Sequence, residues 1–226
     1  MIAFGQRIQE FVAMTFGGPG LPAETTEHAL PKQFMLWVDS VGGFWVAQGD
    51  EVVIGQPGDP GQVDLPILAD ISARHAAIRR DGEAYVLDAL RDVRVAGRKV
   101  TESQCLSDRS SIELGDSVKL NFHRPHPLST SARLEFVSRH RTIPAADGIL
   151  LLAETLVLGP KANSHVVCRK WSHEVIVFRK GDKLYCRAVG PFEIDGKAMR
   201  GQGEMQLGSR IRGDDFSFSL APLERS

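Results

Sequence analysis

From Gln33 onward the chain consists of short apolar runs of strand length, broken by turn residues at intervals of about 8–12 positions, a spacing that marks a sandwich or a barrel. Strands are predicted at 33–38, 44–47, 51–54, 76–80, 84–88, 93–95, 111–114 and 117–122. Between them lie Gly42-Gly43, Gly49-Asp50, Asp81-Gly82 and Gly115-Asp116, where glycine supplies left-handed φ at little steric cost. A second series of the same kind is predicted at 132–138, 148–152, 155–158, 174–179, 184–187, 192–194 and 216–220. The segment 56–66 carries Pro57-Gly58-Asp59-Pro60-Gly61, the long stiff kind of loop that recognition surfaces on sandwiches use.

Helical periodicity is confined to the start. Phe4, Ile8, Phe11 and Val12 fall on one face of a helix predicted within 2–16, and Gly17-Gly18-Pro19-Gly20 stops it. Its apolar face is expected to dock on its own domain rather than on a partner or a membrane.

The two β series resemble each other in detail. Arg79-Arg80-Asp81-Gly82-Glu83 matches Phe178-Arg179-Lys180-Gly181-Asp182, and Val95-Ala96-Gly97-Arg98-Lys99 matches Ile194-Asp195-Gly196-Lys197-Ala198 at the same offset. Leu114-Gly115-Asp116 parallels Leu207-Gly208-Ser209 with a small shift. Internal duplication accounts for this, and it divides the chain into an N-terminal helix and connector (1–32), a sandwich (33–128) and a second sandwich (129–226). A single larger sandwich with repetitive hairpins is the alternative.

A formal charge of -1 offers no global field for nucleic acid or an anionic membrane. Residues 1–128 hold 12 Lys and Arg against 17 Asp and Glu, and residues 129–226 hold 15 against 11. Such opposed halves suit contact with each other or pairing between copies in a homo-oligomer; solvated surfaces of opposite sign by accident are the alternative. Cys105, Cys168 and Cys186 are odd in number and lack metal spacing, which fits a reducing compartment. Arg7, Gln9 and Glu10 interrupt any secretory signal, and no apolar run approaches the ~18 residues of a membrane span. The expectation is a cytoplasmic protein.

Nothing points to catalysis: the sequence has no glycine-rich phosphate loop, nucleophile elbow, His-Glu-x-x-His or dinucleotide fingerprint. His123 and His126 flank Arg124-Pro125 and, with His140, lack a neighbouring carboxylate or cysteine, so they read as loop histidines rather than zinc ligands. Asp214-Asp215 reads as a solvated turn. Neither an enzyme, a metal nor a cofactor is expected.

The informative order is Val53-Ile54-Gly55, the long loop, Asp70-Ile71-Ser72-Ala73-Arg74-His75-Ala76, then Val93-Arg94-Val95-Ala96-Gly97 and Ile112-Glu113-Leu114-Gly115-Asp116. It resembles the forkhead-associated (FHA) domain over roughly residues 33–122. That family's pattern is Gly-Arg, Ser-x-x-His, Asn-Gly and Leu/Ile-x-x-Gly-Asp. The resemblance implies an all-β fold of two FHA-like (SMAD/FHA-type) antiparallel β-sandwich domains in tandem after a short N-terminal α-helix. It also implies apical loops that bind phosphothreonine peptides. A phosphate dianion needs hydroxyl and amide donors and at least one cation, because charge-assisted bonds offset the loss of its water. By the resemblance Ser72 and Arg74 bind phosphate, Gln56, Ala96, Gly97 and Arg98 line the peptide site, and Gly55 and His75 support it.

Two positions depart from the pattern. Gln56 stands where the family has Arg, and Ala96 where it has Asn. A hydrogen bond to a charged group contributes about 1.5–3 kcal/mol and a neutral one about 1, so the two losses amount to ~3–4 kcal/mol. Micromolar binding corresponds to about 8 kcal/mol, which moves affinity toward the millimolar range unless Arg74, Arg98 or Lys99 compensates. The second series departs further: Pro160 follows Gly159, Trp171 holds the place of Ser72, Ser172-His173 is one residue out of register, and Asp195 precedes Gly196. There Trp171 is a core anchor or an interface aromatic. The expected function is a protein–protein interaction module reading phosphothreonine peptides through a partly degenerate site. The alternative is a phospho-independent structural or assembly protein.

Overall fold

The computed structural model describes residues 31–223 apart from Pro60 and Pro127, so the helix expected within 2–16 lies outside the described residues. What is described contains strands and turns and no helix. The first half holds β1 (Gln33–Val38), β2 (Gly42–Ala47), β3 (Glu51–Gly55), β4 (Leu65–Pro66), β5 (Ala76–Asp81), β6 (Ala84–Ala89), β7 (Val93–Val95), β8 (Arg98–Val100), β9 (Ser103–Leu106), β10 (Ser110–Leu114) and β11 (Val118–His123). The second holds β12 (Ala132–Phe136), β13 (Gly148–Leu151), β14 (Thr155–Gly159), β15 (Val166–Val167), β16 (Val175–Lys180), β17 (Lys183–Ile194), β18 (Lys197–Met205), β19 (Arg210–Arg212) and β20 (Ser217–Ala221).

The segments Phe34–Val38, Phe44–Ala47 and Ile149–Leu152 are continuously apolar rather than alternating, the composition of strands buried on both faces. β1, β2 and β13 accordingly sit in the middle of a 15-stranded sheet. Met35, Trp45, Ala47, Ile149 and Leu151 face one apolar core. Phe34, Leu36, Val38, Phe44, Val46, Leu150 and Leu152 face another. A separate five-stranded sheet, in the order β4-β3-β5-β6-β9, supplies Val52, Ile54, Ala76, Ile78 and Leu87 to the first core. The second core is closed by Leu156, Leu158, Val175, Val177, Leu184 and Cys186 from β14, β16 and β17.

Pairing in the central sheet crosses between the halves of the chain. β1 of the first half pairs with β20 of the second, Leu36 opposite Leu220. The hairpin β12–β13 of the second half pairs with β11 of the first, Leu120 opposite Phe136. β2 and β13 then join in parallel, Trp45 opposite Ile149. Alternate side chains of β1, β2 and β13 enter the two cores, which therefore lie on opposite faces of this sheet. Strands from early and late in the chain therefore interleave in one continuous sheet. The ion pair Arg210–Asp39, at 3.8 Å, is a minor link beside this apolar packing.

Local geometry repeats between the halves. Ala96-Gly97 turns with φ of 50° and 75°, and Asp195-Gly196 with 53° and 76°. The Ser107 amide donates to Ser110 Oγ, and the Gln206 amide to Ser209 Oγ, both at 3.0 Å. This corrects one expected match. Leu207-Gly208-Ser209 corresponds to Asp108-Arg109-Ser110 in the turn before β10, and the turn after Leu114 corresponds to the one after Arg212, because Ile112 opposite Val95 and Ile211 opposite Ile194 hold the same place.

Other sequence expectations also shift. Gly42-Gly43 opens β2 instead of forming the turn, and Gly43 lets the Trp37 ring lie against the β2 backbone, where a Cβ would displace it. β4, β8, β9, β15, β18 and β19 were not predicted: they are two or three residues long or carry exposed polar side chains at an edge, where periodicity fades. The two strands expected at 184–187 and 192–194 are one, β17, which carries an irregularity between Arg187 and Pro191.

Candidate functional site

The site is built around His75, which is 4% exposed. Its backbone N–H donates to the Ile54 carbonyl at 2.8 Å, continuing the β3–β5 ladder into the loop. Nδ1 accepts the Ser72 N–H at 3.2 Å, and Nε2 lies 2.8 Å from the Asp92 carbonyl. A carbonyl only accepts, so the network assigns the proton to Nε2. The same carbonyl receives the Gly115 N–H at 3.0 Å, and the nearest atom to a Cβ built on Gly115 would be His75 Cε1 at 3.7 Å. One imidazole thus ties the loop before β5 to the β6–β7 connection and packs against the Gly115-Asp116 turn.

Gly55 sets the second boundary. A Cβ there would overlap the Ala73 carbonyl, so only glycine lets the 72–73 backbone approach β3. The approach is held by the Gln56 N–H donating to the Ser72 carbonyl at 3.0 Å. Ser72 is consequently half-buried at the rim, while Gln56, Arg74, Ala96, Gly97 and Arg98 are exposed.

These supports bring Gly55, Gln56, Ser72 and His75 together. Arg74 reaches across to the long loop, where Nη1 donates to the Gln62 carbonyl at 3.3 Å. Ala96, Gly97 and Arg98 form the tip of the β7–β8 hairpin, with the Ala96 N–H donating to the Ser111 carbonyl at 2.9 Å. Among the described residues no hydrogen bond or ion pair joins this tip to Ser72 or Arg74. Lys99 approaches the His75 network through Asp92: its ammonium lies 3.0 Å from the Asp92 carboxylate, which it holds below the usual range.

Two contributors escaped sequence reasoning. Asp64 pins the long loop, with Oδ2 accepting the Val53 N–H at 2.9 Å and Oδ1 accepting from Gln33 at 3.1 Å. Asp92 works through its main-chain carbonyl, which leaves no trace in residue type.

The second half keeps the scaffold and changes its chemistry. His165 takes the place of Asp64: its Nδ1 accepts the Val157 N–H at 3.0 Å, and burial pushes its pKa down to about 4. Trp171 is buried, its ring 5.5 Å from that of Phe216, which makes it a core anchor. Asp195 accepts the Arg210 N–H and the Ser209 hydroxyl, each at 2.8 Å, so its carboxylate is a turn brace. His123 ends β11 rather than lying in a loop, 3.8 Å from both Asp108 and Glu135. Among the described residues no group of three His, Cys, Asp or Glu could hold a metal.

No family model matches the chain, and no curated protein matches it. Solved structures to which it is similar are FHA domains. The Rv0020c FHA structure is 29% identical, covering 37% of this chain and 84% of that one, with a TM-score of 0.27. The FHA domain of the CT664 protein from Chlamydia trachomatis is 26% identical over 37% of this chain and 89% of that one, TM-score 0.28. The FhaA FHA domain, solved in complex with the intracellular domain of Rv3910, is 26% identical over 36% and 91%, TM-score 0.26.

Proposed function

We propose that this chain is a protein-interaction module of two FHA-like sandwiches that have exchanged hairpins, the first presenting a reduced phosphothreonine site on the loops around Ser72. The observation that carries the proposal is the support of Ser72. Gly55 admits the loop, and His75 holds its amide while anchored on Asp92. A buried, hydrogen-bonded histidine behind an exposed loop positions that loop more firmly than solvent contacts would. The Ser72 hydroxyl and the Arg74 guanidinium are the hydroxyl donor and the cation that a phosphate dianion needs.

Arg74 must leave the Gln62 carbonyl to reach such a ligand, an exchange of a neutral acceptor for a dianion that favours the ligand. The missing cation at Gln56 and the missing amide at Ala96 make the site weak. That chemistry also supports a second reading, a phospho-independent assembly protein. The two are separated by Ser72→Ala and Arg74→Ala, assayed by fluorescence anisotropy against phosphothreonine peptides, with denaturation midpoints as the folding control. The first reading expects each change to weaken binding at an unchanged midpoint. Binding that ignores both changes and the phosphate supports the second.

A further inference from the structure

The two halves treat one strand edge differently. In the first, β4 pairs with β3 through Gly55 opposite Pro66, and its outer edge is covered by the chain itself. The connection 137–147 lies along it: the Leu68 N–H donates to the Arg141 carbonyl at 2.9 Å, the Ile143 N–H donates to the Pro66 carbonyl at 3.2 Å, and Ile67 bridges Thr142 antiparallel. In the second half Gly159 opposite Val167 is the same register, and the Cys168 N–H donates to Gly159 just as the Ile67 N–H donates to Gly55, both at 2.8 Å. The corresponding hairpin connection there is only Asp39-Ser40-Val41, too short to lie across the edge. The Val167 carbonyl and the Arg169 N–H, counterparts of the groups that bond the 141–143 segment, find no partner among the described residues.

A cleft of about 880 Å³ opens where that segment would lie. Trp171 and Phe216 line it beside Val167 and Val41, and Arg169, Lys170 and Arg212 add three exposed cations. No ion pair holds these three among the described residues. Three carboxylates also line the cleft: Asp39, which lies 3.8 Å from Arg210, Asp215, which accepts the Ser172 N–H and keeps its charge, and Asp214; with Arg210 counted beside Asp39, four cations face three carboxylates.

We infer that this cleft binds an extended acidic peptide of a partner protein, which adds as a strand to the edge at Val167–Arg169. Main-chain bonds to Val167 and Arg169 supply affinity, as in other strand additions. Val41 and Val167, the apolar lining that is open to solvent, take an apolar side chain, and the cations favour carboxylates on the alternate positions. The inference does not depend on the Ser72 loop.

The test is selection of random dodecapeptides displayed on phage against the full chain, followed by hydrogen exchange with the selected peptide bound. The result expected is enrichment of sequences alternating acidic and apolar residues, with slowed exchange at the Val167 and Arg169 amides. Arg169→Glu combined with Arg212→Glu, both exposed positions, should weaken that peptide about tenfold or more at an unchanged denaturation midpoint. No enrichment, binding without protection at 167–169, or indifference to the charge reversal would overturn the inference. Self-association without peptide that the same substitutions abolish would also overturn it, by placing a second copy in the cleft.

Discussion

His75 and Asp92 are joined through a 2.8 Å contact between imidazole Nε2 and a main-chain carbonyl, and this bond turns a loop serine into a positioned one. Replacing His75 by Ala removes it, frees the Ser72 N–H and leaves a cavity beside Ile71 and Gly115. The expected loss is about 2–4 kcal/mol, read from urea denaturation. Faster exchange of the Ser72 amide in the native state should accompany it.

Gly55→Ala should destabilise by more than about 2 kcal/mol, because the new methyl meets the Ala73 backbone rather than a side chain that can swing away. Gly58→Ala is the matched control in the same region. The nearest atom there is Gln62 Oε1 at 3.6 Å, an ordinary contact, so the change should stay within about 0.5 kcal/mol.

The shared central sheet makes cooperativity testable. Ile149 and Leu150 are adjacent, fully buried residues of β13 that face the two different cores. Truncating either to Ala should lower one and the same unfolding transition, by about 2–5 kcal/mol each. Intrinsic fluorescence and circular dichroism should coincide throughout. Two separable transitions, each sensitive to only one substitution, would mean that the cores unfold independently.

How much of this was legible beforehand differs by feature. Continuous apolar runs marked 33–38 and 148–152 as strands, and the motif order singled out Gly55, Ser72 and His75. The pairing of early with late strands was not legible, because an apolar strand carries no record of which distant strand it pairs with. Asp64 was missed because a lone carboxylate before Leu65-Pro66 has no pattern, although it anchors the loop through the Val53 N–H. The direction of Arg74 toward Gln62 was not legible, because it depends on how the long loop folds.

His165 gives the fold an acid sensitivity. Burial lowers its pKa to about 4, against 6.5 for the free side chain, so the unfolded chain binds the proton first. Its contribution is present above pH 6.5, falls as the pH drops, and is lost below about 4. The span corresponds to about 3 kcal/mol. Urea midpoints from pH 7 to pH 4 should decline accordingly, and His165→Asn should flatten that part of the decline.

The buried thiols should be inert. Burial pushes Cys168 and Cys186 up to about 12, whereas Cys105 is exposed. Titration with a chromogenic disulfide at pH 8 should modify Cys105 quickly in the native protein, and the other two only after denaturant is added.

The most direct test of the proposed function is calorimetric titration of the intact chain with a degenerate phosphothreonine peptide library, beside its unphosphorylated counterpart and an Arg74→Ala variant. The predicted result is binding, between about micromolar and millimolar, that requires both the phosphate and Arg74. Equal heats from the two libraries, or binding unaffected by Arg74→Ala, would contradict it.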